Sequence, residues 1–193
     1  MIPTITHRIW LGSNIDTVEY LKSCVDSIKI LNGWQHNLWT EKDIVLAFGQ
    51  DYVNNVKMKF EYYNLQSDIY RMRILHEFGG FYLDCDCEVL QNFIDWCDTD
   101  FICNIDLIND MTPTIDRYFF GCNRGNELVK LLHDKSVTSD KRNSNLQYET
   151  FLLKMFSDTV LCNLEHSHTV LSRQYFNKFI KHYANRNWMV KET

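Results

Sequence analysis

The sequence predicts an α/β fold in which a mostly parallel central sheet is flanked by helices, and three observations carry that prediction. Short β-branched or aromatic runs alternate along the chain with segments whose apolar residues recur at steps of three and four. Capping residues and glycines punctuate the boundaries between them. Gly and Pro together number only nine in 193 residues, where average usage gives roughly twenty-three. Long flexible linkers are excluded, and residues 1–193 read as one compact domain.

Element by element, Thr4 to Trp10 alternates Ile5, His7 and Ile9 with Thr4, Thr6 and Arg8 and reads as a strand ending at Leu11-Gly12. Val18, Leu21, Val25 and Ile28 mark a helix that Asp16 or Thr17 caps and Gly33 ends. His36 to Trp39 is a second strand. Thr40 with Asp43 approximates a capping box for a helix from Glu41 to Phe48 that stops at Gly49, and another short helix falls near Tyr52. Lys59 to Asn64 reads as a third strand. Ser67 is placed to cap a helix through Phe78, ended by Gly79-Gly80, and Phe81 to Asp84 follows as a strand. Beyond it come strands at Phe101 to Asp106 and Tyr118 to Cys122, helices at Glu127 to Lys135 and Gln147 to Phe156, and a late strand at Thr159 to Leu164. Strands alternating with helices in this way build a largely parallel sheet.

Composition narrows the function classes. With 45% hydrophobic and 14% aromatic residues the chain is neither disordered nor fibrous. A net charge of −5 argues against a general grip on nucleic acid, which takes a basic face. No apolar run is long enough for a membrane span, and MIPTITHRIWLG lacks the basic start and apolar core of a signal peptide. Seven cysteines without a C-x-x-C pair, in a chain with no N-x-S/T site, fit free thiols in a reducing compartment, so the expected location is cytoplasmic. Cys85 and Cys87 lack partners at zinc-finger spacing.

The segment that carries chemistry is SDIYRMRILHEFGGFYLDCDCEVL, Ser67 to Leu90. A helix, a Gly-Gly turn and an apolar strand deliver Asp84 and Asp86 at the strand end. In an extended segment these two would share a face with Cα atoms roughly 6.6 Å apart. Two carboxylates at about 6 Å repel by about 3 kcal/mol at an effective dielectric near 20. On an open surface solvent and salt answer that repulsion; at the carboxyl end of a sheet, where α/β ligands bind, a divalent cation is the candidate, and carboxylate oxygens suit magnesium or manganese. A cation held by one or two carboxylates keeps positions open for phosphate oxygens. Asp68 and Arg71, three apart on a helix, share a face; Arg71 is placed to clamp a phosphate and Asp68 to accept hydroxyl hydrogens. Hydroxyls on one side and a diphosphate on the other describe a nucleotide sugar.

That block closely resembles the DXD sugar-binding region of glycosyltransferase family 32, which includes Golgi mannosyltransferases, capsular polysaccharide enzymes and, more distantly, large glucosylating toxins. The opening IPTITHRIWLG is similar to the family's first strand, and HYANRNW, His182 to Trp188, to its closing block. The resemblance implies a GT-A (Rossmann-like) fold and retaining transfer of a sugar from a nucleotide-diphosphate donor to a glycan, polysaccharide or other hydroxyl acceptor, with manganese or magnesium bridging enzyme and diphosphate. It further implies that Trp10 stacks on the base and that Ser67 and Tyr82 line the nucleotide site. Asp68 and Arg71 would be the catalytic pair that binds the donor sugar. Asp86 would ligate the metal directly, with Asp84 acting through water or ribose. Asn187 would offer a further metal ligand, and Trp188 would close over the diphosphate. Arg117, in RYFFGCNRG, stands where the family pattern has Asn, which leaves the donor sugar open.

Two other classes compete. A haloacid-dehalogenase-type phosphatase also places D-x-D after an apolar strand, but Glu88 stands where that motif has Thr or Val, and the motif lies far from the N-terminus. A catalytically silent nucleotide-sugar or glycan-binding module would keep the same site residues without turnover.

Overall fold

The computed structural model describes residues 1–12, 15, 19–108, 112–138, 145–165 and 167–183. Its main sheet has strands β1 (Ile5–Ile9), β2 (Gln35–Trp39), β3 (Gly80–Leu83), β5 (Phe101–Ile108), β6 (Thr112–Cys122) and β7 (His168–Ser172) in the order β2-β1-β3-β6-β5-β7. β1 pairs in parallel with β2 and β3, and β5 with β7, while β6 alone runs antiparallel to its neighbours β3 and β5. Five strands therefore end on one edge. The order reverses at β1, which leaves a crevice outside the carboxyl ends of β1 and β3, where Trp10 and Asp84 follow their strands. A second sheet pairs β4 (Cys87–Val89) with β8 (Ile180–His182) in antiparallel fashion.

Helices α2 (Glu41–Phe48), α3 (Gln50–Lys59), α4 (Tyr63–Phe78), α5 (Glu127–Thr138) and α6 (Asn145–Cys162) pack one face, where Ile44, Val53, Ile69, Leu75, Val129 and Phe156 meet Tyr82, Phe101 and Phe120. The opposite face packs Trp34, Phe93, Trp96 and Phe176, the last from α7 (Arg173–Phe176), against Phe81, Ile102 and Phe119, with α1 (Glu19–Asp26) beside β4. Alternate strand residues thus serve opposite cores. α4 lies between the sheet and α5 and is buried almost all round, its buried residues including Asp68 and Arg71.

Local signals explain most boundaries. Thr40 and Asp43 form the full capping box of α2. Gly79 ends α4 by donating to the Leu75 carbonyl at 2.8 Å, and it and Gly80 adopt φ of 66° and 96°. A Cβ on Gly80 would sit 2.5 Å from the Ile5 carbonyl oxygen, so this turn into the central strand needs glycine.

Three expectations fail. The strand foreseen at Lys59 to Asn64 is absent, because Lys59 closes α3 and α4 starts at Tyr63. Phe60 is a buried anchor in the short connection, its carbonyl accepting from Gln66 Nε2 at 2.9 Å. Ser67 consequently lies inside α4 and does not cap it. The late strand at Thr159 to Leu164 is mostly helix: Leu152, Phe156 and Val160 are buried at steps of four and carry α6 on to Cys162. The foreseen caps Asp16 and Thr17 lie outside the described residues.

His7 illustrates how tightly β1 is held. Its Nδ1 accepts from Trp39 Nε1 at 3.0 Å, which leaves Nε2 to donate to the Gly79 carbonyl at 2.9 Å. A second proton would have to enter on Nδ1, against an N–H donor. Burial pushes its pKa down from 6.5 to about 4. The neutral form is the folded form, so its stabilisation is complete above pH 6.5 and lost as pH falls through 4. We expect His7 to contribute at most about 3 kcal/mol to the loss across that window. Urea denaturation at pH 7 and pH 4 should show a smaller pH difference in His7→Gln than in the native chain; equal differences would refute the assignment.

Candidate functional site

The DXD segment leaves β3 as a turn. Cys87 N–H donates to the Asp84 carbonyl at 3.0 Å, so Asp84 and Asp86 are not arranged as the extended pair that strand periodicity implied. What bends the chain is Arg8. Its side chain projects from β1 and its guanidinium donates to four carbonyls: Asp84 at 2.9 Å and Cys85 at 3.3 Å through Nη1, Cys87 at 2.9 Å and Cys24 at 3.1 Å through Nη2. The central position of β1 buries Arg8 on a strand whose alternation marked it as a polar-face residue.

Asp84 is the more open carboxylate, its side chain 26% exposed. Its Oδ1 accepts from Tyr82 Oη at 2.8 Å and faces Arg71 Nη2 at 3.2 Å. Ser67 Oγ reaches Tyr82 Oη at 3.3 Å, and the Arg71 guanidinium lies 4.3 Å over the Tyr82 ring. Arg71 also meets Asp68 Oδ1 at 3.0 Å, and Arg117 takes Asp68 Oδ2. The structure therefore gathers Ser67, Asp68, Arg71, Tyr82 and Asp84 into one cluster. Burial works against the charge on Arg71, yet the Asp84 and Asp68 carboxylates hold its pKa above the ordinary value.

Asp86 points elsewhere. Its buried carboxylate meets His182 Nε2 at 3.3 Å, and Tyr183 N–H donates to its carbonyl at 3.2 Å, so the β4–β8 pairing delivers an imidazole to the DXD turn. His182 stacks on Tyr118 with ring centroids 3.9 Å apart. Burial disfavours its cation, but the hydrogen bond to Asp86 and the charges of Asp86, Asp84 and Asp116 prevail and raise its pKa. Beyond Tyr118, Asn104 Nδ2 donates to Asp116 at 2.7 Å and to Tyr118 Oη at 3.0 Å. Burial raises the Asp116 pKa.

Asp86, Cys87 and His182 place their ligand atoms within 4.8 Å of one another. Cys87 does not fit as a ligand: its thiol is fully buried in the apolar core and burial pushes its pKa well above the usual thiol range. A carboxylate and an imidazole remain: the carboxylate oxygen suits manganese or magnesium, and the imidazole nitrogen, a poor ligand for the harder magnesium, favours manganese of the two. Cys85, between the aspartates, is pushed up to about 12, by burial first and by the Asp84 and Asp86 charges after it, while Arg8 opposes them. All seven cysteines are unpaired, as the sequence predicts.

Trp10 sits just past β1, half-buried against Ile15, Leu21 and Cys85 with Tyr20 alongside. Asn187 and Trp188 lie outside the described residues. Sequence reasoning did not find Arg8, which carries no local signal. His182 opens the HYANRNW block, and nothing in that block's sequence marks it as a partner of Asp86.

The model of glycosyltransferase sugar-binding regions containing the DXD motif matches residues 16–119, just over half of the chain, which include Ser67, Asp68, Arg71, Tyr82, Asp84, Asp86 and Arg117 but not Arg8, Trp10 or His182. The chain belongs to this family. Inositol phosphoceramide mannosyltransferase 1 of Schizosaccharomyces pombe is 34% identical over 89 residues, which are 44% of this chain and 28% of that protein. The chain thus matches less than a third of that relative's length. Among solved structures, the PaToxG glycosyltransferase superposes with a TM-score of 0.64 at 15% identity, covering 83% of this chain and 69% of its own. A glycosyltransferase involved in glycosylating the major capsid of the virus PBCV-1 gives 0.54 at 9% identity, covering 95% and 94%. At these identities the likeness shows the fold, and this DXD-family chain has the α/β architecture of GT-A glycosyltransferases. Among the described residues no helix is long and apolar enough to cross a membrane.

Proposed function

We propose that the chain is a metal-dependent glycosyltransferase that moves a sugar from a nucleotide diphosphate, in the first instance a UDP-sugar, to a glycan or other hydroxyl acceptor with retention of configuration. The observation that carries this reading is the DXD turn at the sheet's carboxyl edge, with Asp86 set against His182 and Asp84 tied to Arg71 and Tyr82. Asp86 and His182 would hold manganese or magnesium, with Asn187 a further ligand. Bound there, the cation would neutralise the diphosphate and stabilise the charge that develops on the leaving group. Trp10 would stack on the base, Asp84 would orient the ribose or a metal-bound water, and Trp188 would cover the diphosphate. Asp68 would accept hydrogen bonds from donor-sugar hydroxyls, and Arg71 would hold Asp68 and Asp84 in place. Six of the seven cysteines are buried and all are free, which supports a reducing compartment such as the cytoplasm.

A silent nucleotide-sugar-binding module is favoured by one feature, the Arg117 guanidinium that covers Asp68. Calorimetry with UDP and GDP, with and without manganese, tests the site. Affinity should rise at least about tenfold with the metal, because a bridge replaces repulsion between carboxylates and diphosphate. Equal affinities would refute the metal-bridged reading. Turnover of a UDP- and GDP-sugar panel with manganese then separates the transferase from the silent module.

A further inference from the structure

Arg71 and Arg117 flank the same carboxylate, but they are not equally committed. Arg71 Nη1 donates to the Arg117 carbonyl at 2.5 Å, its Nε to the Ser67 carbonyl at 3.3 Å, and its Nη2 bridges Asp68 and Asp84. With a side chain only 7% exposed, it is a structural tie among α4, β6 and the DXD turn. Arg117 is 21% exposed and grips Asp68 Oδ2 through Nη1. A guanidinium has five N–H donors, and among the described residues the Arg117 side chain engages Asp68 through Nη1 alone, which leaves donors for a ligand.

Behind the Arg117–Asp68 pair lies a cleft of about 10 Å³, walled by Met72, Leu152 and Phe156. That is room for about one water molecule. Asp68 is itself only 7% exposed, with Arg71 on Oδ1 and the more exposed Arg117 on Oδ2, so displacing Arg117 frees an Asp68 oxygen for a donor sugar. A neutral hexose doing so offers Arg117 a hydroxyl in exchange for a carboxylate, an exchange that leaves a charge poorly compensated. A sugar with its own carboxylate makes an even exchange. The sugar carboxylate takes the Arg117 fork in bidentate fashion while a ring hydroxyl donates to the vacated Asp68 oxygen.

Resting on the donor-site reading above, we propose that Arg117 determines donor specificity and that the site takes an acidic sugar, a nucleotide-diphosphate hexuronate. The test is calorimetry on the full chain with manganese, titrating UDP, UDP-glucose and UDP-glucuronate, then GDP, GDP-mannose and GDP-mannuronate. In one of the two series the hexuronate should bind about tenfold more tightly than its neutral partner or better. Arg117→Gln should bring that ratio near one without changing the affinity for the sugar-free diphosphate. Arg117→Lys, which keeps a charge on Asp68 but not the fork, should fall between and serves if the amide variant does not fold. Hexuronates that bind no better than hexoses, or a preference that survives Arg117→Gln, would overturn the assignment while the donor reading stands. Failure of UDP and GDP alike to bind with manganese would overturn both.

Discussion

Asp86→Ala should abolish manganese-dependent turnover, lowering kcat by about a thousandfold or more, because metal-held charge is worth several kcal/mol at the transition state. Folding should survive the change. The turn is held by main-chain groups, the Cys87 N–H to Asp84 carbonyl bond and the Arg8 contacts, none of which uses the Asp86 carboxylate. His182 loses its partner but is 22% exposed and able to shed its proton. The melting temperature should therefore move by only a few degrees while nucleotide affinity in manganese drops to its metal-free value. Asp84→Asn should cost less, about tenfold to a hundredfold, since Asp84 is already engaged by Tyr82 and Arg71 and acts on the ligand indirectly. Unchanged turnover in Asp86→Ala would remove the metal site from the mechanism.

What could be read in advance follows the range of the interactions. The capping box of α2 and the Gly79-Gly80 turn are local, set by side chains within four residues, and both are where the sequence puts them. Helix spacing puts Asp68 and Arg71 on one face and strand order puts Asp84 at the end of β3, while Ser67 and Tyr82 came in through the family resemblance; in the structure all five lie together. Long-range pairings were not legible. His182 reaches Asp86 only through the β4–β8 pairing, and neither Cys87–Val89 nor Ile180–His182 is long enough to announce itself as a strand. The helix–strand error at Thr159 arose because Thr, Val and Leu there are β-branched or apolar, while the i, i+4, i+8 burial of Leu152, Phe156 and Val160 decides for helix.

Arg8 is the clearest case of a residue whose role exists only in three dimensions, and its removal has the largest expected effect on stability. Its side chain satisfies the carbonyls of Cys24, Asp84, Cys85 and Cys87 at once while being 2% exposed. Arg8→Met keeps much of the volume but supplies no donor; the Asp84 and Cys24 carbonyls keep the Cys87 N–H and the Ser27 hydroxyl, while a buried carbonyl that loses its donor costs about 1–3 kcal/mol, a loss that falls on Cys85 and Cys87. The gain from no longer burying a charge, and from losing the Arg8 Nε that has no partner among the described residues, offsets part of this. A net destabilisation of about 4 kcal/mol follows, at the upper end of single-residue effects. Arg8→Lys retains the charge but has a compact ammonium in place of the fork, so it should recover less than half of that loss. The damage should also be local. Hydrogen exchange at the Cys87 amide, protected by the Asp84 carbonyl, should accelerate more in Arg8→Met than exchange at amides of β5 and β6, and manganese-dependent nucleotide binding should weaken with it. A variant that melts like the native chain with its Cys87 amide still protected would show that the turn holds without Arg8.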